Sequence, residues 1–368
     1  MNIQKDRIDT ILGSYVAAKP RTDEVPLPAG VQRAIPHIMR AMDAVHEIFL
    51  EQQSEEHART IREKQKRDDV LGEFYRRFQG PWYPVEDFAS YDPEIPDRDP
   101  RCSYYPSDMT AEEFRAAAED LPRVEREKLE SPTTLVRRDE AGRLTTVPYH
   151  VAYADRLSEV FDSLDEAANI LEEAEEQRLA EYLRVRAEAL VTGTYRQADS
   201  EWVRLSGVPL EVVIGPYEVY ADGLLGRKSM YEGMLMAVDR KRCARLEEVE
   251  SSLETLAKDF PLPAESQPAA GGTAPMVVVH QLYYAGEARQ PIYPAAFNLP
   301  NDPRVRGNAG WKQVMLYNVM EEKFSCATVP IARRVLAEAG GSTDEEGPED
   351  IAFEPLFYFV LLHEVSHG

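Results

Sequence analysis

The sequence predicts an α+β fold in which a few strands lie among many helices. Residues 31–77 are charged, with recurrent apolar positions, as is typical of exposed helices. Residues 211–220 are instead β-branched, aromatic and alternating, which predicts a strand, and residues 276–284 predict another. Strands embedded among long helices favour a mixed α+β core beneath a helical layer.

In the N-terminal half, capping and turn signals place the elements. Thr110-Ala111-Glu112-Glu113 is a capping box, so a short helix is expected to begin there. Residues 135–149 predict a hairpin whose turn is residues 139–142. Ser163-Leu164-Asp165-Glu166 is a second capping box, which predicts a long helix that runs to about Val191 and stops near Gly193.

The remaining elements alternate between helix, strand and loop. Pro and Gly punctuate one segment, which we interpret as a linker or surface loop. In order along the chain, we expect a helix over residues 224–259, a linker over 261–275, the strand over 276–284, an extended segment over 293–301, a helix over 314–337, an acidic loop over 340–350 and a closing helix.

Composition narrows the classes of partner. The 368 residues carry a formal net charge of −23, which argues against nucleic acid and against anionic membrane surfaces, because both need basic patches. The first seven residues contain no apolar signal segment. The three cysteines are odd in number and widely spaced, so a disulfide framework is not expected. We therefore predict a cytoplasmic protein.

The strongest chemical motif is H-E-x-x-H, formed by His363-Glu364-Val365-Ser366-His367. Positions i and i+4 share one face of a helix, so His363 and His367 are predicted to bind one Zn²⁺, with Glu364 beside them as general base. The apolar residues 357–362 lead into the motif. The alternative is a C-terminal helix whose two histidines are simply solvated.

Four segments together resemble the dipeptidyl peptidase III family of zinc peptidases. The order and approximate spacing of the segments match that family over most of the chain after about residue 100. The segments are Ile214-Gly215-Pro216-Tyr217-Glu218-Val219-Tyr220, followed by Leu225-Gly226 and Tyr231-Glu232; Asn298-Leu299-Pro300-Asn301; Gly310-Trp311-Lys312-Gln313-Val314-Met315-Leu316-Tyr317-Asn318-Val319; and His363-Glu364-Val365-Ser366-His367-Gly368.

The resemblance implies two lobes, one of them mixed and built around a small β-barrel. The expected division is residues 1–238 in the mixed lobe, 239–275 as a helical-lobe segment and linker, 276–330 as a return to the mixed lobe with the substrate cleft, and 331–368 as the start of the helical zinc-binding lobe. Because that helical lobe is expected to be cut short, residues 357–362 should be unusually exposed.

The resemblance also implies roles for individual residues. Glu218 would hold the free α-amino group of a peptide, and Tyr220 would hydrogen-bond the oxyanion of the scissile carbonyl. Asn298, Asn301 and Arg306 would bind substrate. The alternatives are an ordinary strand end for the first two residues and a simple turn for the Asn-x-x-Asn segment.

The chain departs from the family pattern in two ways. The family's usual motif is H-E-x-x-G-H, whereas the second histidine here is at i+4. The family's third zinc ligand is a glutamate downstream of the motif, and a catalytic histidine also lies downstream. We therefore expect the chain to be an N-terminal fragment of a longer protein, or a truncated gene product.

The leading hypothesis is a zinc-dependent exopeptidase that releases N-terminal dipeptides from short peptides. Zinc would activate a water molecule, and Glu364 would take its proton. The alternative is a non-catalytic peptide-binding or interaction module, because this chain lacks the third ligand. An unrelated zincin is a further possibility. The oligomeric state stays open.

Overall fold

The structure is a computed structural model of the chain, and it describes residues 3–246, 275–291, 294–338 and 351–365. The predicted linker over 261–275, apart from its last residue, and the predicted acidic loop over 340–350 lie outside this described part.

The described ranges contain both helices and strands. The helices are α1 Ile3–Gly13, α2 Ala29–Gln53, α3 Ala58–Gln65, α4 Val70–Phe78, α5 Ala111–Asp120, α6 Arg123–Glu130, α7 Tyr149–Ala152, α8 Ala154–Glu173, α9 Gln177–Thr192, α10 Tyr195–Arg204, α11 (helical residues 240–246), α12 Pro303–Ala309, α13 Tyr317–Lys323, α14 Val329–Glu338 and α15 Phe353–Val365. The strands are β1 Trp82–Tyr83, β2 Ala89–Ser90, β3 Thr134–Arg138, β4 Leu144–Pro148, β5 Leu210–Glu218, β6 Met230–Val238, β7 Met276–Gly286, β8 Ala296–Leu299 and β9 Lys312–Leu316.

A five-stranded sheet lies at the centre, in the order β5-β6-β7-β9-β8. Neighbouring strands are antiparallel, except that β7 and β9 run parallel. Within the described residues these strands form an open sheet and not a closed barrel, so the small β-barrel is unconfirmed. Strands β5 and β7 confirm the predicted strands over 211–220 and 276–284, with their ends shifted.

The predicted helix over residues 224–259 is wrong over residues 230–238, which form strand β6, whereas residues 240–246 are helical as expected. All residues of β6 except the last are buried. The strand pairs with β5 on one edge and with β7 on the other. A strand that is buried on both faces does not alternate between apolar and polar residues, and periodicity alone cannot distinguish it from a buried helix.

The predicted helix over residues 314–337 begins too early for the same reason. Residues 312–316 form strand β9, which is fully buried and pairs with both β7 and β8. The helix starts only at Tyr317 and continues through a π-helical turn at Phe324–Thr328 into α14.

The second predicted capping box is also wrong. Helix α8 begins at Ala154, and Ser163 lies in its interior with only 4% of its surface exposed. The helix is interrupted after Glu173, where Glu175 has φ +63°, and α9 then runs on to Gly193. Ser163 faces the core because it lies on the buried stripe of α8, which begins six residues earlier at Leu157.

Other local predictions are confirmed. The Thr110 hydroxyl accepts a hydrogen bond from the Glu113 amide at 3.1 Å, as the first capping box requires. Strands β3 and β4 pair antiparallel as the expected hairpin. Gly193 ends α9 with a left-handed φ of 72°, a conformation that glycine adopts without strain.

Helix α2 covers one face of the sheet and supports it. Its buried stripe includes Ile38, Met42 and Phe49. A side chain at Gly233 of β6 would place its Cβ 2.9 Å from the Met42 Cγ, so the close approach of helix and sheet requires glycine there. Helix α8 packs against α2 and belongs to the same hydrophobic core.

Helix α15 packs against strands β7 and β9 of the sheet. Phe357 and Leu361 are buried in a second apolar cluster with residues of β7, β9 and α13. Phe359 and Leu362 are 71% and 47% exposed. The expected exposure of residues 357–362 therefore holds for the outer face only. Of the helices in the described ranges, none combines the length and apolar character needed to cross a membrane.

Candidate functional site

Helix α15 carries the H-E-x-x-H motif at its C-terminal end. His363 is exposed in the last turn, and Glu364 beside it is half-buried. His367 lies outside the described residues, so the shared face of the two histidines stays a prediction. The buried residue Leu361, two positions earlier, anchors this end of the helix against the sheet.

Two strands reach the motif from the sheet. The Asn298 amide Nδ2 donates to the Glu364 carboxylate Oε2 at 3.1 Å. The Gln313 amide Nε2 donates to the main-chain oxygen of Glu364 at 2.6 Å. Asn298 and Gln313 are register partners on β8 and β9. The sequence indicated Asn298, but it gave no role to Gln313, although that residue stands in one of the four matching segments.

The end of β5 carries the predicted amine-binding carboxylate. Asn301 donates through Nδ2 to the Glu218 Oε1 at 3.0 Å and to the main-chain oxygen of Tyr217 at 3.3 Å. Glu218 is half-buried. Asn301 thus joins the segment after β8 to the end of β5.

Tyr220 does not share a strand face with Glu218, because β5 ends at Glu218. Tyr220 is 80% exposed. The negative charge of Glu218 is the main cause that raises the pKa of Tyr220, followed by partial burial and a hydrogen bond between the two side chains. The two residues are therefore neighbours, although not for the reason that the strand pattern suggested.

Two further carboxyl groups, those of Glu287 and Glu232, interact electrostatically with Glu218. Burial raises the pKa of Glu287 to about 8, the charge of Glu218 adds to the rise, and Arg98 opposes it. Burial also raises the pKa of Glu232 well above its ordinary value, and the charges of Glu287 and Glu218 add to that rise. Glu232 stands in a matching segment, but nothing in the sequence pattern signals Glu287, which lies in a short 3₁₀ turn after β7.

Arg306 lies on α12, away from these contacts. Its guanidinium lies over the Trp311 ring, 4.8 Å from the centroid, and the side chain is exposed. Among the described residues, no hydrogen bond or ion pair joins it to Glu218 or Glu364. Asn318, which the resemblance also matched, links α13 to β7 through hydrogen bonds with the Gln281 main chain at 2.8 and 3.0 Å.

The donor set suits zinc only in part within the described residues. Imidazole is a common ligand of zinc, and His363 is accessible at the helix end. No group of three His, Cys, Asp or Glu side chains with metal-binding geometry occurs in the described ranges. A zinc site at this helix end would therefore need at least one ligand from outside those ranges, where the predicted ligand His367 lies.

The chain is similar to known peptidases in both sequence and fold. The family model described as Peptidase family M49 matches residues 113–365. The chain belongs to this family. The solved structure of DPP III from Caldithrix abyssi is similar to the chain with a TM-score of 0.87 and 30% sequence identity, over 98% of this chain and 67% of that one. The fold is thus the mixed, two-lobed α+β fold of DPP III.

The chain aligns with only a part of each of two curated relatives. Nudix hydrolase 3 of Arabidopsis thaliana is 27% identical over 289 residues, which is 73% of this chain and 36% of that protein. Dipeptidyl peptidase 3 of Rattus norvegicus is 28% identical over 174 residues, which is 47% of this chain and 23% of that protein. The chain therefore spans about a third or less of each of these two relatives.

Proposed function

We propose that this chain belongs to a zinc-dependent exopeptidase that releases N-terminal dipeptides from short peptides. The proposal depends on one observation: two asparagines from one short segment each donate a hydrogen bond to a different carboxylate of the candidate site. Asn301 contacts Glu218 and Asn298 contacts Glu364, at 3.0 and 3.1 Å. The asparagines are three residues apart, so their backbones are at most about 10 Å apart, and an extended dipeptide spans about 7 Å.

Buried polar atoms without partners support a peptide ligand. Within the described residues, Asn298 Oδ1 and Glu287 Oε2 are buried and have no hydrogen-bond partner. Buried polar groups are nearly always paired, so each such atom calls for an explanation. A peptide N–H would satisfy the first atom, and a cationic amino terminus near Glu218 would satisfy the second.

In this proposal each residue has a defined task. Glu218 binds the terminal ammonium group and sets the register of the peptide. Glu364 accepts a proton from the water that attacks the second peptide bond, and returns it to the leaving amine. Tyr220 donates a hydrogen bond to the oxyanion. His363 and His367 would hold the zinc ion, which when bound supplies Lewis acidity for the activation of water.

The lobe boundaries and the remaining binding residue belong to the same proposal. Residues 1–238 and 276–330 would carry the peptide, and residues 331–368 would begin the zinc-binding lobe. Arg306 would bind a peptide carboxylate only if its side chain leaves the Trp311 ring, over which it now lies. The proposed substrates are short peptides with a free amino terminus.

A second candidate is a peptide-binding module without catalysis. The contact between Asn301 and Glu218 does not involve the motif helix, so the amine-binding end of the site can form independently of zinc. Peptide binding that survives both chelation and the loss of Glu364, without any hydrolysis, would favour this candidate.

The test is an assay for dipeptide release with peptides of four to eight residues. The purified chain is incubated with each peptide and with its N-acetylated form, with added zinc or with a chelator, and the products are identified by mass spectrometry. Because the described residues supply no complete set of zinc ligands, we expect only slow dipeptide release by the chain alone. That release should occur from the free peptides only, depend on zinc and be lost in Glu364→Gln. Release of single residues, or equal cleavage of acetylated peptides, would contradict the proposal.

A further inference from the structure

Two side chains on neighbouring strands reach Glu364 at different points. Asn298 on β8 and Gln313 on β9 lie directly opposite each other in an antiparallel pair. Asn298 donates to the carboxylate, and Gln313 donates to the main-chain oxygen. Glu364 is thus hydrogen-bonded through both its carboxylate and its main chain by one pair of opposite residues in the sheet.

The Gln313 contact originates from a rigid position. Gln313 is only 2% exposed, and its strand is paired on both edges, with β7 and with β8. Its own amide N–H donates to the Pro275 carbonyl at 2.9 Å. The side chain therefore transmits the position of the sheet to the end of α15, without a flexible loop in between.

We infer that Gln313 is a positioning residue, which together with Asn298 sets the place of Glu364 relative to the sheet that carries the peptide. The inference rests on the proposed role of Glu364 as general base. A general base must lie within hydrogen-bond reach of the proton it accepts. A displacement of about 1 Å can lower a rate about a hundredfold, so a fixed backbone at Glu364 matters as much as its carboxylate.

Amide hydrogen exchange tests the positioning without any need for activity. The zinc-free chain is compared with Gln313→Leu, which removes the amide and keeps most of the volume. The matched control is Gln53→Leu, because Gln53 is 3% exposed and its Nε2 also donates to a main-chain oxygen, that of Gln79, at 3.1 Å. Gln53 lies on α2, and among the described residues no hydrogen bond joins its side chain to α15.

We expect exchange within residues 357–365 to become about fivefold faster in Gln313→Leu, the effect of one lost buried hydrogen bond. In Gln53→Leu that helix should exchange as in the wild type, and any change should fall near Gln79. If the Gln313 variant fails to fold, Asn298→Ala gives the second measurement, because Asn298 is only half-buried and its loss frees the carboxylate. Equal exchange of α15 in the Gln313 or Asn298 variant and in the control would overturn the inference.

Turnover gives an independent readout wherever the wild-type chain releases dipeptides. Gln313→Leu should lower kcat at least tenfold and leave KM within about twofold, since it moves the base and not the peptide. A rise in KM with unchanged kcat would overturn the positioning role. If Glu364→Gln keeps full activity, the proposed function fails, and the exchange result still decides whether Gln313 holds the helix.

Discussion

Replacing Glu287 by glutamine should make the stability of the chain less dependent on pH. Burial and the charge of Glu218 raise the pKa of Glu287 from 4.5 to about 8. Between these values the folded chain keeps a proton that the unfolded chain has lost, so stability falls as pH rises. At about 1.36 kcal/mol per pH unit, the loss between about pH 4.5 and pH 7 is about 3 kcal/mol.

Glutamine has no proton to lose, so Glu287→Gln should escape this loss. The free energy of unfolding is measured by urea denaturation at several values from about pH 5 to pH 8, for variant and wild type alike. The difference between the two proteins should grow by about 1 kcal/mol per pH unit in favour of the variant. Glu232 is present in both proteins, so its own titration largely cancels in the difference.

An exposed glutamate provides the control. The Glu112 side chain is 81% exposed, and Glu112→Gln should change stability by less than about 0.5 kcal/mol at every pH. A constant difference between Glu287→Gln and the wild type across the whole pH range would show that the folded carboxyl titrates normally. The burial argument for Glu287 would then be wrong.

Three further predictions concern the proposed site and the core. Glu364→Ala should abolish dipeptide release and leave the zinc content, measured by elemental analysis, unchanged; full activity would remove Glu364 from the mechanism. Glu218→Gln should weaken the binding of free-amine peptides about 10- to 100-fold, the range of a charged hydrogen bond, without affecting N-acetylated ones, and equal losses for both by calorimetry would contradict an amine site. Glu211 and Lys312 form a buried ion pair at 2.9 Å, so Glu211→Ala should lower the free energy of unfolding, measured in urea, by about 3–5 kcal/mol. The double variant Glu211→Leu with Lys312→Met should regain most of that stability, because it leaves no unpaired buried charge. A mild effect of the single change would refute the pairing argument.

Local signals in the sequence predicted much of the molecule correctly. A capping box depends on residues three positions apart, and the hairpin depends on its own turn, so α5 and the β3–β4 pair followed from short segments. The closing helix followed from the apolar run and the spacing of the motif in the same way. Such interactions are contained within a few residues and need no knowledge of distant partners.

The failures share one cause, which is burial decided by distant segments. Strands β6 and β9 are buried on both faces, because each is covered by other elements and paired on both edges. Their apolar residues therefore do not alternate regularly with polar ones, and such a pattern predicts a helix as readily as a strand. Ser163 shows the converse, since its hydroxyl chemistry suggested a cap although packing places it inside α8.

Residue identity and spacing are enough to predict which side chains suit the proposed site, because imidazole, carboxylate and amide groups each bind a limited set of partners. Which of these side chains contact one another depends on how the chain folds. Asn298 reaches Glu364 across 66 positions and Asn301 reaches Glu218 across 83. Gln313 and Glu287 gain their importance entirely from such distant neighbours. Contacts of this length depend on the order and register of the sheet strands, which a local pattern cannot encode because each strand satisfies its hydrogen bonds with segments far away in the chain.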